Sequence, residues 1–425
     1  MERRPDCGAL DRPGRCGALK IIVQKFGGTS VSTREVRELA IEHIEDAMAQ
    51  GYKVVVVVSA MGRMGDPYAT DTLLGMIPKK DKTIHRDLDL LMSCGELISA
   101  VIFAAMLRAR GHEVTVLSGA QAGIVTSADY GNARIVSINP ERMILELEAN
   151  RVVVVTGFQG ATPDGETTTL GRGGSDTSAT ALGVALNAEL IDIFTDVDGV
   201  MTADPRIVEN ASRLHQMTYA EISNLAYYGA KVIHPRAVEM AMQKSIPIRV
   251  RSTHSKDPGT LVTSGAAYFE GRNASDHILT GVTHSSHITQ LRVRRVAEIT
   301  NFQTTVFQTM AKLGISVDFF NITPDEVVYT IPNQRVEQAL GALRNIGFEV
   351  RTVPDVAKIA AVGAGIHGVV GVTAMIVEAL SEEGIEILQS ADSNTTIWCL
   401  VHDKDTVRAV RAIHDKFGLH TLGGV

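Results

Sequence analysis

The stretch "IIVQKFGGTSV", Ile21–Val31, joins a short apolar run to a lysine, two glycines and two hydroxyl residues. Short runs rich in β-branched residues are typical of strands buried in a parallel sheet. Lys25 ends the run with a positive charge, and the backbone N–H groups of Gly27 and Gly28 can approach an anion because no Cβ intervenes. The chain contains no G-x-x-x-x-G-K-[ST] string. The stretch therefore predicts a phosphate-binding loop of another kind, or a strand–turn–helix corner with a surface lysine.

Similar apolar runs alternate with helical patterns up to about residue 260, which predicts an α/β fold with a mostly parallel sheet. Polar, glycine-rich segments follow four of the predicted strands. Ligands bind beyond the carboxyl ends of strands in open parallel sheets, so these segments are expected to gather at one edge. After Ile21–Gln24, the predicted strands are Val54–Val58, Glu113–Leu117, Val152–Thr156 and Ile191–Phe194.

An internal repeat follows a Pro-, Gly- and Ser-rich boundary near Ser255–Ala267. Gly314 and Gly347 recur as Gly384 and Gly418, which are 70 and 71 residues later (384 − 314 and 418 − 347). Each repeat is predicted to run strand–helix–strand–strand–helix–strand, as in paired ferredoxin-like modules. The predicted divisions are a disordered extension (1–19), an α/β domain (20–262), a first module with its linker (263–354) and a second module (355–425).

Composition favours a small-molecule partner. The net charge of −7 supplies no positive field for nucleic acid or an anionic membrane. Apolar stretches such as Ala100–Leu107 are too short to span a bilayer, and the N-terminus lacks the apolar core of a signal peptide. The four cysteines show neither disulfide nor metal-ligand spacing, which predicts a cytoplasmic protein.

Three motif matches are rejected. "HRDL", His85–Leu88, resembles a protein-kinase catalytic loop, but Met92 stands where that loop needs asparagine. "GAGIHG", Gly363–Gly368, is predicted to be a strand-to-helix turn instead of a dinucleotide site. The histidines at 277, 284 and 287 lack an H-E-x-x-H frame, so no dedicated metal site is predicted.

"TTTLGRGGSDTSAT" repeats the logic of the first loop with a different cation. Arg172 stands between glycines and can bind a carboxylate bidentately. Ser175 or Asp176 begins the next helix and could serve only as its N-cap. Glu96 forms an S-x-x-E capping box with Ser93, or binds a substrate ammonium, and the two roles are not exclusive.

Two later strings, "TDVDGVMTADPR" and "GAKVIHPRA", also follow predicted elements. Turn chemistry accounts for Asp198-Gly199 and Asp204-Pro205. It leaves Arg206 and Lys231 unexplained, and both would suit nucleotide phosphates.

Taken in order, "KFGGTSV", "SAMG", "GFQG", "TTTLGRGGSD", "TDVDGVMTADPR" and "KVIHPRA" resemble the aspartate kinases of the amino-acid kinase family. The C-terminal repeat resembles the family's paired ACT regulatory domains. The resemblance covers nearly all of the chain beyond residue 19. It implies an αβα sandwich followed by two ferredoxin-like ACT modules. It also implies phosphorylation of the β-carboxylate of L-aspartate by ATP and Mg²⁺, the first step towards lysine, diaminopimelate, threonine and methionine.

The resemblance further implies residue roles. Lys25, Asp176 and Arg172 would be catalytic, with Asp176 organising Lys25 and the phosphoryl group. Arg172 would bind the α-carboxylate of aspartate and Glu96 its ammonium. The implied nucleotide site is Lys25, Phe26, Gly27, Gly28, Thr195, Asp196, Met201, Arg206 and Lys231. The implied aspartate pocket is Ser59, Thr70, Glu96, Phe158, Arg172 and Ser175.

An ionised carboxylate is already a nucleophile, so this chemistry needs positioning and positive charge more than a general base. The resemblance also implies a homo-oligomer formed through the ACT domains and an amino-acid effector: diaminopimelate, lysine or threonine. Candidate effector residues are Asn301, Asp318 and Asn321. The loop "RMGDPYA" before Thr70 resembles the diaminopimelate-sensitive type, whereas Met201 stands where tyrosine is common.

Two other hypotheses stay open. One is a kinase of the same fold that acts on glutamate or N-acetylglutamate, although an acylated amine offers no positive charge to Glu96. The other is an inactive amino-acid sensor that uses only the ACT modules, although Lys25, Arg172 and Asp176 are all present.

Overall fold

The computed structural model describes residues 19–78, 83–230, 232–264, 278–296, 301–364, 366 and 368–422. Nearly all of the predicted extension, 1–19, therefore lies outside the described residues. The strands of the N-terminal part are β1 (Ile21–Phe26), β2 (Lys53–Val58), β3 (Val114–Leu117), β4 (Ile124–Thr126), β5 (Ile135–Ile138), β6 (Val152–Thr156), β7 (Gln159–Ala161), β8 (Thr167–Thr169), β9 (Leu190–Thr195), β10 (Gln216–Thr218), β11 (Ile248–Ser252) and β12 (Thr260–Thr263). Its helices are α1 (Arg34–Ala49), α2 (Thr70–Gly75), α3 (His85–Ala109), α4 (Glu141–Glu148), α5 (Gly174–Ala185), α6 (Tyr219–Tyr228) and α7 (Pro235–Gln243).

The main sheet has the order β10-β12-β11-β9-β1-β2-β6-β3, and all its neighbours are parallel except β11 and β12. The β-branched run Val54–Val58 is at most 2% exposed, as expected for a central strand covered on both faces. A smaller sheet, β5-β4-β7-β8, carries the segments around the second glycine-rich loop. The predicted α/β fold with a mostly parallel sheet is confirmed.

Alternate residues of β2 enter two different cores. Val54, Val56 and Val58 pack in one cluster with residues of α1 and α3, including Phe103. Val55 and Val57 belong to the other cluster, with Leu182 of α5 and residues of α6 and α7. Helices therefore cover both faces of the sheet in an αβα sandwich, and the strand ends are left for ligands.

Among the described residues, α3 alone is long and apolar enough to cross a membrane by length and composition. It is nevertheless a core helix, because Ala100, Phe103, Ala104 and Leu107 are fully buried within the α1–α3 face of the sandwich.

The C-terminal part forms one six-stranded antiparallel sheet, β14-β15-β13-β16-β18-β17. Its strands are β13 (Gly281–Arg294), β14 (Asp318–Ile322), β15 (Glu326–Pro332), β16 (Glu349–Val362), β17 (Gln389–Asp392) and β18 (Thr396–His402). Its helices are α8 (Phe302–Lys312), α9 (Val336–Ile346), α10 (Val372–Glu382) and α11 (Thr406–Lys416). Two ferredoxin-like modules thus share a continuous sheet.

The two long strands each serve both modules. Residues 288–294 of β13 pair with β15, whereas residues 356–362 of β16 pair with β18. Residues 281–285 of β13 lie against 358–362 of β16. The second module therefore takes a strand from the chain that precedes the first.

The sequence pattern predicts a closing strand at the end of the second repeat, and this prediction is wrong. After α11 the described chain makes a 3-10 turn, Leu419–Thr421. The place beside 358–362 is already filled by 281–285, so no open strand edge remains there. The predicted divisions at 262/263 and 354/355 stay predictions.

The α/β domain and the second module are packed together through α6. Glu221 caps this helix with Thr218 and also accepts hydrogen bonds from Thr280 Oγ1 and from the N–H of Ala364, the latter at 3.2 Å. Asn224 donates to Thr395 Oγ1 at 2.8 Å. Movement of the six-stranded sheet would therefore be transmitted to α6.

Candidate active site

The first and second glycine-rich loops meet at the ends of β1 and α5. Lys25 Nζ lies 2.7 Å from Asp176 Oδ1, and both side chains are largely buried. The backbone reaches this geometry because Gly173 adopts φ 71°, a left-handed conformation, just before α5 begins. The predicted convergence at the carboxyl ends of β1, β2 and β9, here called the carboxyl edge, is confirmed for these two loops.

Close backbone contacts bring the "SAMG" loop to the carboxyl edge, beside the end of β9. A Cβ at Gly28 would lie 2.6 Å from the carbonyl oxygen of Gly62 and 2.8 Å from that of Ala60. The N–H of Gly62 donates to the Gly28 carbonyl at 2.9 Å, and the N–H of Gly27 donates to that of Phe194 at 3.3 Å. Glycine at 28 is thus required by the approach of the "SAMG" loop.

Glu96 lies in the interior of α3 and faces the same edge. Its Oε1 accepts a hydrogen bond from the Ala60 N–H at 3.1 Å, whereas Oε2 is buried without a partner among the described residues. Burial raises the pKa of Glu96 to about 8. A cationic group bound here would supply the missing partner of a carboxylate.

The capping-box interpretation of Ser93 and Glu96 is wrong. α3 begins at His85, so Ser93 lies two turns inside the helix, where its hydroxyl donates to the Leu90 carbonyl at 2.8 Å. "HRDL" is the first turn of this helix, with His85, Arg86 and Asp87 exposed.

Ser59 and Thr70 bracket the loop that packs on α3 beside Glu96. The N–H of Ser59 donates to the Phe26 carbonyl at 3.1 Å, and Thr70 opens α2. A Cβ at Gly95 would lie 2.8 Å from the carbonyl oxygen of Tyr68. The "RMGDPYA" loop therefore keeps Thr70 on the Glu96 side of the carboxyl edge.

Arg172 is exposed and forms no ion pair within the described part of the chain. Phe158 adopts φ 69° and donates its N–H to Ser178 Oγ at 3.0 Å. Its ring lies 2.6 Å from where a Cβ at Gly174 would stand, and the Ser175 side chain lies 2.9 Å from where a Cβ at Gly157 would stand. Phe158 and Ser175 therefore border the loop that presents the unpaired guanidinium.

The predicted nucleotide residues are only partly brought together. Asp196 follows β9 and pairs with the exposed Arg63 at 2.5 Å. The backbone of Met201 forms an isolated antiparallel β-bridge with that of Arg213. Arg206 is an exposed side chain held 2.6 Å from Asp204, whose pKa it lowers.

No contact between described residues joins Arg206 to Lys25 or Asp176. Thr195 donates its hydroxyl to Asp196 at 3.1 Å beside the first loop. Lys231 lies outside the described residues, as does His277 of the rejected histidine group.

The candidate effector residues lie in the first module. Asn301 adopts φ 56° at the N-cap of α8, and Asn321 is exposed on β14. Asp318, at the start of β14, pairs with Lys358, a lysine that is only 3% exposed. The ammonium of Lys358 also lies 4.5 Å above the ring of Tyr228, at the end of α6.

Three residues near the carboxyl edge were missed by the sequence analysis. The N–H of His234 donates to Asp176 Oδ2 at 3.2 Å, and His234 lies inside the quoted "KVIHPRA" string. Arg63, which pairs with Asp196, is the first residue of the "RMGDPYA" loop. Asp89 stands seven residues before Glu96 and is fully buried. The signal in the sequence was a charged residue on the apolar face of a helix.

Comparisons with known proteins show the family to which this chain belongs. The model of the amino acid kinase family matches residues 20–252, and an ACT domain model matches residues 351–415. Aspartokinase 1 of Bacillus subtilis is 57% identical over 402 residues, which cover 94% of this chain and 100% of that protein. Aspartokinase of Geobacillus stearothermophilus is 38% identical, with 94% and 97% covered.

The fold also matches a crystal structure of Escherichia coli aspartokinase III in complex with aspartate and ADP. The TM-score is 0.76 at 24% identity, with 94% of this chain and 100% of that chain covered.

Proposed function

Because the chain belongs to the aspartokinases of the amino acid kinase family, we propose that it transfers the γ-phosphoryl group of ATP to the β-carboxylate of L-aspartate. The products are 4-phospho-L-aspartate and ADP. The observation that carries the proposal is the Lys25–Asp176 pair, which stands at the carboxyl edge together with a buried, half-satisfied Glu96.

Glu96 and Arg172 bind the two ends of the amino-acid head group. The substrate ammonium pairs with Glu96 Oε2, which has no partner among the described residues, and the α-carboxylate pairs with the exposed Arg172 guanidinium. The proposed aspartate pocket between these two groups is bordered by Phe158, Ser175, Ser59 and Thr70. Binding at both ends leaves the β-carboxylate free to face the ATP phosphates.

Phosphoryl transfer then needs no general base. A β-carboxylate oxygen forms a bond to the γ-phosphorus as the bond from phosphorus to the ADP oxygen breaks, and the negative charge passes to ADP. Lys25 and the N–H groups of Gly27 and Gly28 offset the repulsion between the two anions. Asp176 fixes the Lys25 ammonium at 2.7 Å. The proposed nucleotide site also includes Phe26, Thr195, Asp196 and Met201. Arg206 and Lys231 stay predicted members of it, because no contact among the described residues joins Arg206 to Lys25 and Lys231 lies outside those residues.

The residues present fit a magnesium ion that arrives with ATP. Within the described ranges no group of three or more His, Cys, Asp or Glu side chains could hold a metal by itself. Mg²⁺ usually keeps several waters and binds one or two carboxylates plus substrate phosphates. Besides Glu96, which is assigned to the substrate ammonium, Asp176 and Asp196 are carboxylates at this edge that would hold the ion. The bound ion would neutralise phosphate charge.

We also propose feedback inhibition by diaminopimelate, lysine or threonine bound near Asn301, Asp318 and Asn321. This assigns the chain to the first step towards lysine, diaminopimelate, threonine and methionine in the cytoplasm. The edge strand β14 exposes Phe320 and Ile322, at 58% and 42%, which supports a homo-oligomer formed through the regulatory modules.

Lys25→Ala tests the proposal against a matched lysine. Lys53 begins β2 and lies beside Ile21, at the N-terminal end of the strands, whereas Lys25 lies near the carboxyl end of β1. Lys25→Ala should lower aspartate-dependent ADP release by at least about a hundredfold, as for loss of a charge-stabilising donor. Lys53→Ala should stay within twofold of the parent. Effector binding by Lys25→Ala, measured by calorimetry, should persist because the ACT modules are untouched.

Unchanged turnover in Lys25→Ala would refute the role of this lysine. Replacing aspartate by glutamate or N-acetylglutamate in the same assay tests the other carboxylate kinases. Faster turnover with either would replace the proposed substrate.

A further inference from the structure

Asp89 is a fully buried carboxylate on α3 to which neither the fold nor the proposed chemistry assigns a role. It accepts three hydrogen bonds. Oδ2 accepts from the N–H of Thr169 at 2.7 Å and from the N–H of Gly131 at 3.0 Å. Oδ1 accepts from the hydroxyl of Thr169 at 2.9 Å. All three donors lie outside α3, on β8 and on the turn at residues 129–132.

These donors lead directly to the arginine loop. Thr169 ends β8, three residues before Arg172. Gly171, with φ 73°, packs on the same turn that Asp89 holds, because a Cβ there would lie 3.1 Å from the Gly131 carbonyl oxygen. Asp89 therefore anchors both the strand that enters the loop and the turn behind it.

Asp89 also shares a helix with Glu96. The two residues are seven positions apart, which is about two turns, so they lie on the same face of α3. Glu96 and Arg172 come from different elements, yet they must bind opposite ends of one small substrate. A link between α3 and β8 fixes the separation of the two groups.

We propose that Asp89 is a positioning residue for aspartate binding, which sets the distance between Glu96 and Arg172 without touching the substrate. The inference rests on the proposed function, since it needs those two residues to bind one molecule. Asp89 acts by holding neighbouring segments in place and takes no part in the reaction. All the bonds to Asp89 come from donors, and a carboxylate satisfies them with two oxygens.

Asparagine at position 89 can form nearly the same set of hydrogen bonds. Its Oδ1 can accept from both N–H groups, and its amide can donate to the Thr169 hydroxyl, which then acts as the acceptor. Alanine removes all three bonds. The pair Asp89→Asn and Asp89→Ala therefore separates anchoring from simple occupancy of the site.

The experiment measures KM for aspartate, KM for ATP and kcat on the full chain. Asp89→Ala should raise the aspartate KM at least tenfold and leave the ATP KM within twofold. Asp89→Asn should restore the aspartate KM to within threefold of the parent. Thr169→Val, which removes only the hydroxyl bond, should give an intermediate aspartate KM and serves as the mild variant if Asp89→Ala does not fold.

Asp192→Asn is the matched control, because Asp192 is equally buried but pairs with Arg249 at 2.8 Å on another strand pair. It should lower the melting temperature without a selective rise in the aspartate KM. Equal rises in both KM values for the Asp89 variants, or failure of folded Asp89→Asn to restore binding, would overturn the inference. Absence of aspartate-dependent turnover in the parent would instead overturn the proposed function.

Discussion

Glu96→Gln separates the stability cost of a buried carboxylate from its use in binding. Burial raises the pKa of Glu96 from 4.5 to about 8. A carboxyl whose pKa is raised in the folded state contributes most to stability below pH 4.5, and that contribution is lost as pH rises to 8. Glutamine carries no such dependence, so the variant should gain stability over the parent across this window.

The expected gain follows from the pKa difference at 1.36 kcal/mol per pH unit. It is about 3 kcal/mol at pH 7 and about 5 kcal/mol above pH 8. Between pH 5 and pH 8.5 the gain grows by about 4 kcal/mol. At about 2–4 °C per kcal/mol for a unit of 150–250 residues, the Tm difference between variant and parent should widen by roughly 8–16 °C.

The assay is thermal unfolding of both proteins without ligands from pH 5 to pH 8.5. Glu148→Gln, at an exposed position in α4, is the control and should show a constant Tm difference. A Tm difference that does not change with pH in Glu96→Gln would refute the reasoning, since it would mean that folding does not disfavour the ionised form of Glu96.

The same variant should bind aspartate poorly. Loss of a hydrogen bond to a charged group costs about 1.5–3 kcal/mol, which corresponds to a rise in the aspartate KM of roughly tenfold to a hundredfold or more. In the parent the aspartate KM should fall as pH rises towards 8, because the ionised Glu96 is the form that pairs with ammonium. An unchanged KM in Glu96→Gln would assign the substrate ammonium to another residue.

Three further predictions concern the glycine loop, the proposed effector site in the C-terminal modules and the metal. Gly28→Ala should lower kcat/KM for both substrates at least tenfold, because the new methyl would lie 2.6 Å from the Gly62 carbonyl oxygen, whereas Gly341→Ala, with no neighbour within 4 Å, should not. Lys358→Met removes the partner of Asp318, so it should raise the effector concentration for half inhibition at least fivefold and leave kcat within twofold. Inhibition curves are measured with lysine, threonine and diaminopimelate, separately and in pairs. Curves that are the same for the variant and the parent would contradict the role of this ion pair. Chelation of divalent metal should abolish ADP release while changing the Tm of the nucleotide-free protein by less than about 2 °C, because phosphates supply most of the ligands; a larger fall would indicate a metal bound by the protein itself.

The parts of the fold that were predicted correctly depend on local pattern. The run at Ile21–Gln24 and the all-valine stretch Val54–Val58 are strands because β-branched residues pack well when both faces are covered. Convergence of the loops followed from a general property of parallel sheets, and the Lys25–Asp176 contact confirms it for two loops.

The errors share a different cause, which is dependence on distant parts of the chain. The Ser93–Glu96 capping box has the right spacing, but only the whole helix shows that it begins eight residues before Ser93, at His85. The second module takes residues 281–285 as a strand, and no repeat period within that module reveals a partner that lies 73 to 81 residues away (358 − 285 and 362 − 281). Asp89 was missed because its three donors come from segments 42 and 80 residues later.

The most direct test of the account is chemical trapping of the product. The protein is incubated with aspartate, ATP and Mg²⁺ in the presence of hydroxylamine, and the resulting hydroxamate is identified by mass spectrometry and compared with α- and β-hydroxamate standards. Aspartate β-hydroxamate should form in a one-to-one ratio with ADP. ADP without a hydroxamate, or the α-isomer, would contradict phosphoryl transfer to the β-carboxylate at the carboxyl edge.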